Sequence, residues 1–156
     1  MQLGTYQQWQ TCFRRLRSGE TAPGELLGAE IPALRLSEAA ERAFTAELEA
    51  AVSACLTRAC GRFSRALRET GEMGGLEEIP LLARRLRREV GGVLFIRRLT
   101  FLGADYREAL EDAVRQQLDG LWADFLGGLR RQEEQTPSPE LEELIAVLRR
   151  FRLLDE

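Results

Sequence analysis

Residues Glu78–Gly103 read EIPLLARRLRREVGGVLFIRRLTFLG, and the two halves of the stretch differ in character. Wound as a helix at about 100° per residue, the first half gathers Leu82, Ala83, Leu86 and Val90 on one side. Arg84, Arg87 and Arg88 fall on the other. After Gly91-Gly92 the apolar residues spread all round the axis: Val93, Leu94, Phe95, Ile96, Leu99, Phe101 and Leu102. A helix that is apolar on every side is normally buried in a bundle. The segment is therefore the expected central element, half exposed and half enclosed. Two glycines inside a helix cost about 1 kcal/mol each against Ala, so something should compensate. Three explanations compete: a close crossing by another element, a kink, or a break after which Val93–Ile96 runs extended.

The flanking sequence reads as further helices. Tyr6, Trp9, Phe13 and Leu16 recur at helical spacing and predict a first helix from about Thr5 to Arg17, stopped by Gly19. Residues 19–36, GETAPGELLGAEIPALRL, are punctuated by Pro23, Gly24, Gly28 and Pro32 but hold five large aliphatic residues. They are expected to form a packed crossover with one helical turn near Glu25–Leu27, a mobile lid being the alternative. Ser37 is a fitting N-cap for a second helix to about Arg68, with Phe44, Leu48, Ala51, Val52, Cys55, Ala59, Phe63 and Ala66 along its seam. Its glutamates lie early and its arginines late, the order that complements the helix dipole. A Gly-rich turn is expected over Glu69–Leu76, and Pro80 suits the first turn of the central helix. Asp105 and Glu108 resemble a capping box for a fourth helix that keeps bundle spacing to about Arg131. After an exposed turn at residues 133–139, Ser138 and Pro139 start a last helix burying Leu141, Leu144, Ile145, Leu148 and Phe151.

The expected fold is all-α: an antiparallel bundle of four to five helices with a long first crossover loop, one domain over residues 1–156. Residues 1–18 are an N-terminal helix that is a candidate for a peripheral position, and 138–156 hold the C-terminal helix. A chain of 156 residues buries roughly two-thirds of its unfolded surface and needs no metal or disulfide to fold. Cys12, Cys55 and Cys60 are odd in number and lack CxxC spacing, so they read as small buried residues in a reducing cytosol. The N-terminal MQLGTYQQWQ has no signal-peptide pattern, and no apolar run approaches the ~20 residues of a membrane span. A cytoplasmic protein with no membrane contact is expected.

Three residue types are missing: His, Lys and Asn. Lys and Asn share codons beginning AA, so their joint loss points to a GC-rich, bacterial-type genome, with Arg carrying all 22 side-chain positive charges. Arginine on this surface is thus weak evidence for phosphate binding. The absence of His removes the commonest general base and metal ligand, and with it Ser-His-Asp, Cys-His and Glu-x-x-His chemistry. No Gly-rich phosphate loop is present. Glu108 and Glu111-Asp112 are suited to a hard cation, but they read first as an acidic helix start. No cofactor, no metal and no catalytic activity is expected.

The most specific feature is the ridge of Arg84, Arg87, Arg88 and Arg98, which share about 100° of arc on a straight helix. It reads in three ways: ion pairs with the acidic fourth helix, contacts to a protein partner, or contacts to phosphates. The function expected first is a non-catalytic interaction protein (adaptor, chaperone or assembly subunit) with a protein partner or as a homo-oligomer. A sensory domain enclosing a small apolar ligand near Phe95, Phe101, Trp122 and Phe125 comes second. An accessory nucleic-acid binder using the Arg ridge is third and not favoured.

Overall fold

The computed structural model describes residues 1–73 and 75–154, with side chains at 1–71 and 75–154. Helix α1 (Tyr6–Ser18) opens on a reciprocal cap: the Thr5 hydroxyl accepts from the Gln8 N–H, and the Gln8 side chain accepts from the Thr5 N–H. Its stripe of Trp9, Cys12, Phe13 and Leu16 is buried. Gly19 ends it at φ 86°, in the left-handed region where a side chain would be strained. The Leu16 carbonyl accepts from the Gly19 N–H, and the Arg58 guanidinium donates to the carbonyls of both Leu16 and Arg17 from outside the helix.

Helix α2 (Glu38–Met73) is capped by Ser37, whose hydroxyl accepts from the Ala40 N–H at 3.2 Å. It buries Phe44, Leu48, Ala51, Val52, Cys55, Ala59 and Phe63, as the seam predicted. α2 runs past the expected end at about Arg68 and carries Gly71 in its last turn, and part of the Gly-rich turn expected over Glu69–Leu76 lies outside the described residues. A 3-10 turn (Leu76–Glu78) leads into α3 (Ile79–Gly91), with Pro80 in the first turn. The chain then continues as a 3-10 helix over Gly92–Arg98. Val93–Ile96 is therefore not extended; the winding tightens at the glycine pair.

Helix α4 (Ala104–Gln135) runs one turn past the expected end, and α5 (Pro139–Arg149) starts on Ser138 and Pro139 as predicted. The capping box assigned to Asp105 and Glu108 does not form. Gly103 occupies the N-cap, and Asp105 sits inside the first turn, where a carboxylate still suits the dipole. The Trp122 indole donates to the Leu148 carbonyl at 3.1 Å and ties α5 to α4.

The result is an all-α antiparallel bundle of five helices, with no strand among the described residues. α1 lies along α2, α2 along α3, and α5 against α4. The crossover, residues 19–36, is packed down: its 3-10 turn (Pro23–Leu27) buries Leu26 completely and rests on the Gly92–Arg98 segment. Gly92 makes that possible, since a Cβ there would stand 2.5 Å from the Gly24 nitrogen. The enclosed half of the central element is as anticipated, with Val93, Phe95, Ile96, Leu99 and Leu102 all buried.

Candidate interaction surface

α3 is amphipathic in the sense the sequence indicated. Ile79, Ala83, Leu86 and Val90 face the core, while Leu81, Arg84, Arg85 and Arg88 face solvent. Arg84, Arg87 and Arg88 rim an open depression of about 670 Å³ that also includes Gly24, Leu27, Gly91, Gly92, Leu94 and Leu153. The depression is mainly apolar, with cations along one edge. Arg87 lies over the Phe151 ring, 5.2 Å from its centroid, a cation–π contact that steadies the half-buried guanidinium. Arg84 and Arg88 take part in no ion pair among the described residues.

Arg98 does not belong to this ridge. Its guanidinium donates to the Leu26 and Leu27 carbonyls, the latter at 3.0 Å, and so straps the crossover to the core. The physical reason is the change of winding. A 3-10 helix turns about 120° per residue instead of about 100°, and over Gly92–Arg98 the excess swings Arg98 well out of the expected arc.

Neutralisation by α4 happens at a different arginine. Arg97 makes a two-pronged pair with Glu111, Nη2 to Oε2 at 3.1 Å, and Arg115 adds a second cation. The Arg97 hydrogen bond holds the Glu111 carboxyl below its ordinary range, against the opposing effect of burial. Glu111 is thereby committed to arginine, and Asp112 lies 4.0 Å from Arg115, so two of the three carboxylates of the candidate cation site already face arginines. No group of three Cys, Asp or Glu side chains is placed to hold a metal among the described residues.

α2 adds cations that the sequence reading assigned only to the helix dipole. Arg62 and Arg65 join Arg85 around a second depression of about 280 Å³ on the α2–α3 side, where Glu89 meets Arg62 at 3.7 Å. The basic character therefore extends across two helices. Leu81, which the sequence reading passed over, is 61% exposed at the N-terminal end of the ridge. The signal was available: a leucine off the apolar arc of an amphipathic helix.

Of the four proposed ligand-pocket residues, Trp122 and Phe125 are brought together, with ring centroids 5.1 Å apart, while Phe95 and Phe101 lie elsewhere. Phe101 joins Trp9 and Phe44, its centroid 5.6 Å from that of Phe44. Trp122 and Phe125 stack with Phe63 and Phe151 in a separate group. Phe95 is fully buried and in ring contact with none of them. The rings fill the bundle at two places because each is claimed by a different helix pair.

The thiols are built into the core. Burial pushes Cys12 up to about 11 and raises Cys55 and Cys60 as well, which keeps them protonated and unreactive near neutrality. No helix among the described residues is long and apolar enough to cross a membrane. No family model, curated protein or solved structure matches this chain.

Proposed function

We propose that this is a non-catalytic helical interaction protein, an adaptor or assembly subunit, that works through protein contacts made by the outer face of α3. One observation carries the reading: an apolar depression containing Leu27, Leu94 and Leu153 is edged by Arg84 and Arg88, two cations without ion-pair partners among the described residues. On a chain of net charge −3, this is a local reversal of sign. Apolar floor and cationic rim together suit an acidic segment that also carries an apolar residue, because the rim selects charge while the floor supplies burial. A phosphate backbone would engage the same arginines. Single-stranded nucleic acid, however, is normally gripped by exposed rings as well, and none of the aromatic residues of this chain is exposed.

The test is affinity capture with the wild type and with an Arg84→Glu/Arg88→Glu variant, side by side. Both positions are exposed, so the variant should keep its helical content and melting temperature. The expected result is a set of acidic proteins retained by the wild type and lost from the variant. Equal capture by both would remove the α3 face from consideration. Capture that vanishes on nuclease treatment would replace the protein partner with nucleic acid.

A further inference from the structure

We propose that the occupant of the α3 face is helix α5 of a second copy of this chain, laid antiparallel; this rests on the reading of α3 as a binding surface and names its partner.

The outward face of α5 is the chemical complement of α3. Val147 is 57% exposed, off the buried stripe of Leu141, Leu144, Ile145 and Leu148. Glu140 and Glu143 are exposed on the same face. The positions 140, 143 and 147 follow the i, i+3, i+7 spacing that keeps side chains on one helical face, and so do Leu81, Arg84 and Arg88 on α3. When the two helices are set antiparallel, Leu81 falls opposite Val147, Arg84 opposite Glu143 and Arg88 opposite Glu140, within one residue of a common register. The polar pairs are opposite in sign and the apolar pair is matched.

Nothing among the described residues already satisfies these groups. Arg84, Arg88, Glu140 and Glu143 enter no ion pair among the described residues; Glu140 only accepts from the Ser138 hydroxyl at 3.4 Å. Among the described residues, Leu81 and Val147 are two of the four large hydrophobic residues left exposed, with Met1 and Leu27. One pairing thus covers half of that set and neutralises four charges. A single crossing of two three-turn helices is small for a stable interface. Reciprocal use, with α3 of each copy on α5 of the other, doubles it towards the roughly 1,200 Å² that stable pairs bury.

The test is a charge swap read by light scattering on a sizing column, with far-UV circular dichroism as the folding control. The wild type is expected to run as a dimer. Arg84→Glu/Arg88→Glu alone and Glu140→Arg/Glu143→Arg alone should each weaken self-association by about tenfold or more, because like charges then face each other. Mixing the two variants should restore a dimer, since both contacts regain opposite signs. The chain carrying all four changes should dimerise with itself. Arginine near the N-terminus of α5 works against the helix dipole, so Val147→Ser provides an independent lesion near the far end of that helix and should also weaken the dimer. A monomeric wild type would overturn the inference, as would a dimer indifferent to both reversals or two variants that fail to complement. If the wild type is monomeric yet the Arg84→Glu/Arg88→Glu variant loses a captured protein, the α3 face keeps its function and only its identity as a self-contact falls.

Discussion

At Gly92 an added Cβ would meet the Gly24 nitrogen at 2.5 Å and the Gly24 Cα and Pro23 carbonyl carbon at 3.0 Å, all atoms of a backbone that cannot rotate aside. At Gly91 an added Cβ would meet nothing within 4 Å. Both residues have ordinary right-handed helical dihedrals, so the difference is one of space and not of backbone freedom. Gly91→Ala is therefore expected to stabilise the protein by about 0.5–1 kcal/mol, through a less flexible unfolded chain and better helix propensity. Gly92→Ala should destabilise it by about 1–3 kcal/mol, the range for forcing a methyl into a closed contact. Urea unfolding of the two variants against the wild type measures both signs. Two variants moving in the same direction would mean that the crossover does not press on this helix as described.

Among the elements, the crossover shows most clearly what local signals can and cannot announce. Gly19, Ser37 and the Ser138-Pro139 pair marked helix ends correctly because a cap is decided by residues within one turn of it. The tightening at Gly92 was not legible. It depends on the approach of Gly24, a contact across the fold, and with it went the direction of Arg98. The end of α2 was set too early for a related reason: a single Gly71 costs only about 1 kcal/mol, which packing overrides. Arg98 now defines the strap, holding the Leu26 and Leu27 carbonyls from the far side of the core. Removing it as Arg98→Ala should free those carbonyls at a cost of about 1.5–3 kcal/mol for charge-assisted bonds, partly recovered by water at the exposed Leu27 end. The loss should be concentrated in the crossover. Limited proteolysis is expected to cut within residues 19–36 several-fold faster than in the wild type, before any other site. Cleavage spread evenly along the chain would show that Arg98 contributes to global stability instead of pinning one segment.

Over the whole molecule, the aromatic residues other than Phe95 and Tyr106 divide between two places on α2. Phe44 anchors one group with Trp9, Phe13 and Phe101, and Phe63 anchors the other with Trp122 and Phe125. The two anchors are separated by 19 residues of the same helix, about 28 Å along its axis. This division separates Phe101 from Trp122 and Phe125, and the change of winding sets Arg98 apart from Arg84, Arg87 and Arg88. A ridge belongs to one helix and follows from its period, whereas a pocket depends on which helices meet. α1 packs along α2 with Trp9 and Leu16 fully buried. A single continuous helix through both groups should make them melt together. Each group holds one tryptophan, so Trp122→Phe leaves Trp9 to report the first and Trp9→Phe leaves Trp122 to report the second. In both variants the thermal midpoint by tryptophan fluorescence is expected to coincide with that by far-UV circular dichroism. The Trp122→Phe protein should be about 1 kcal/mol less stable, from loss of the indole hydrogen bond to Leu148. If Trp122 loses its native signal several degrees below the helical midpoint, α4 and α5 open as a unit of their own. The α5 face would then be presented to a partner by a helix that detaches before the rest of the bundle unfolds.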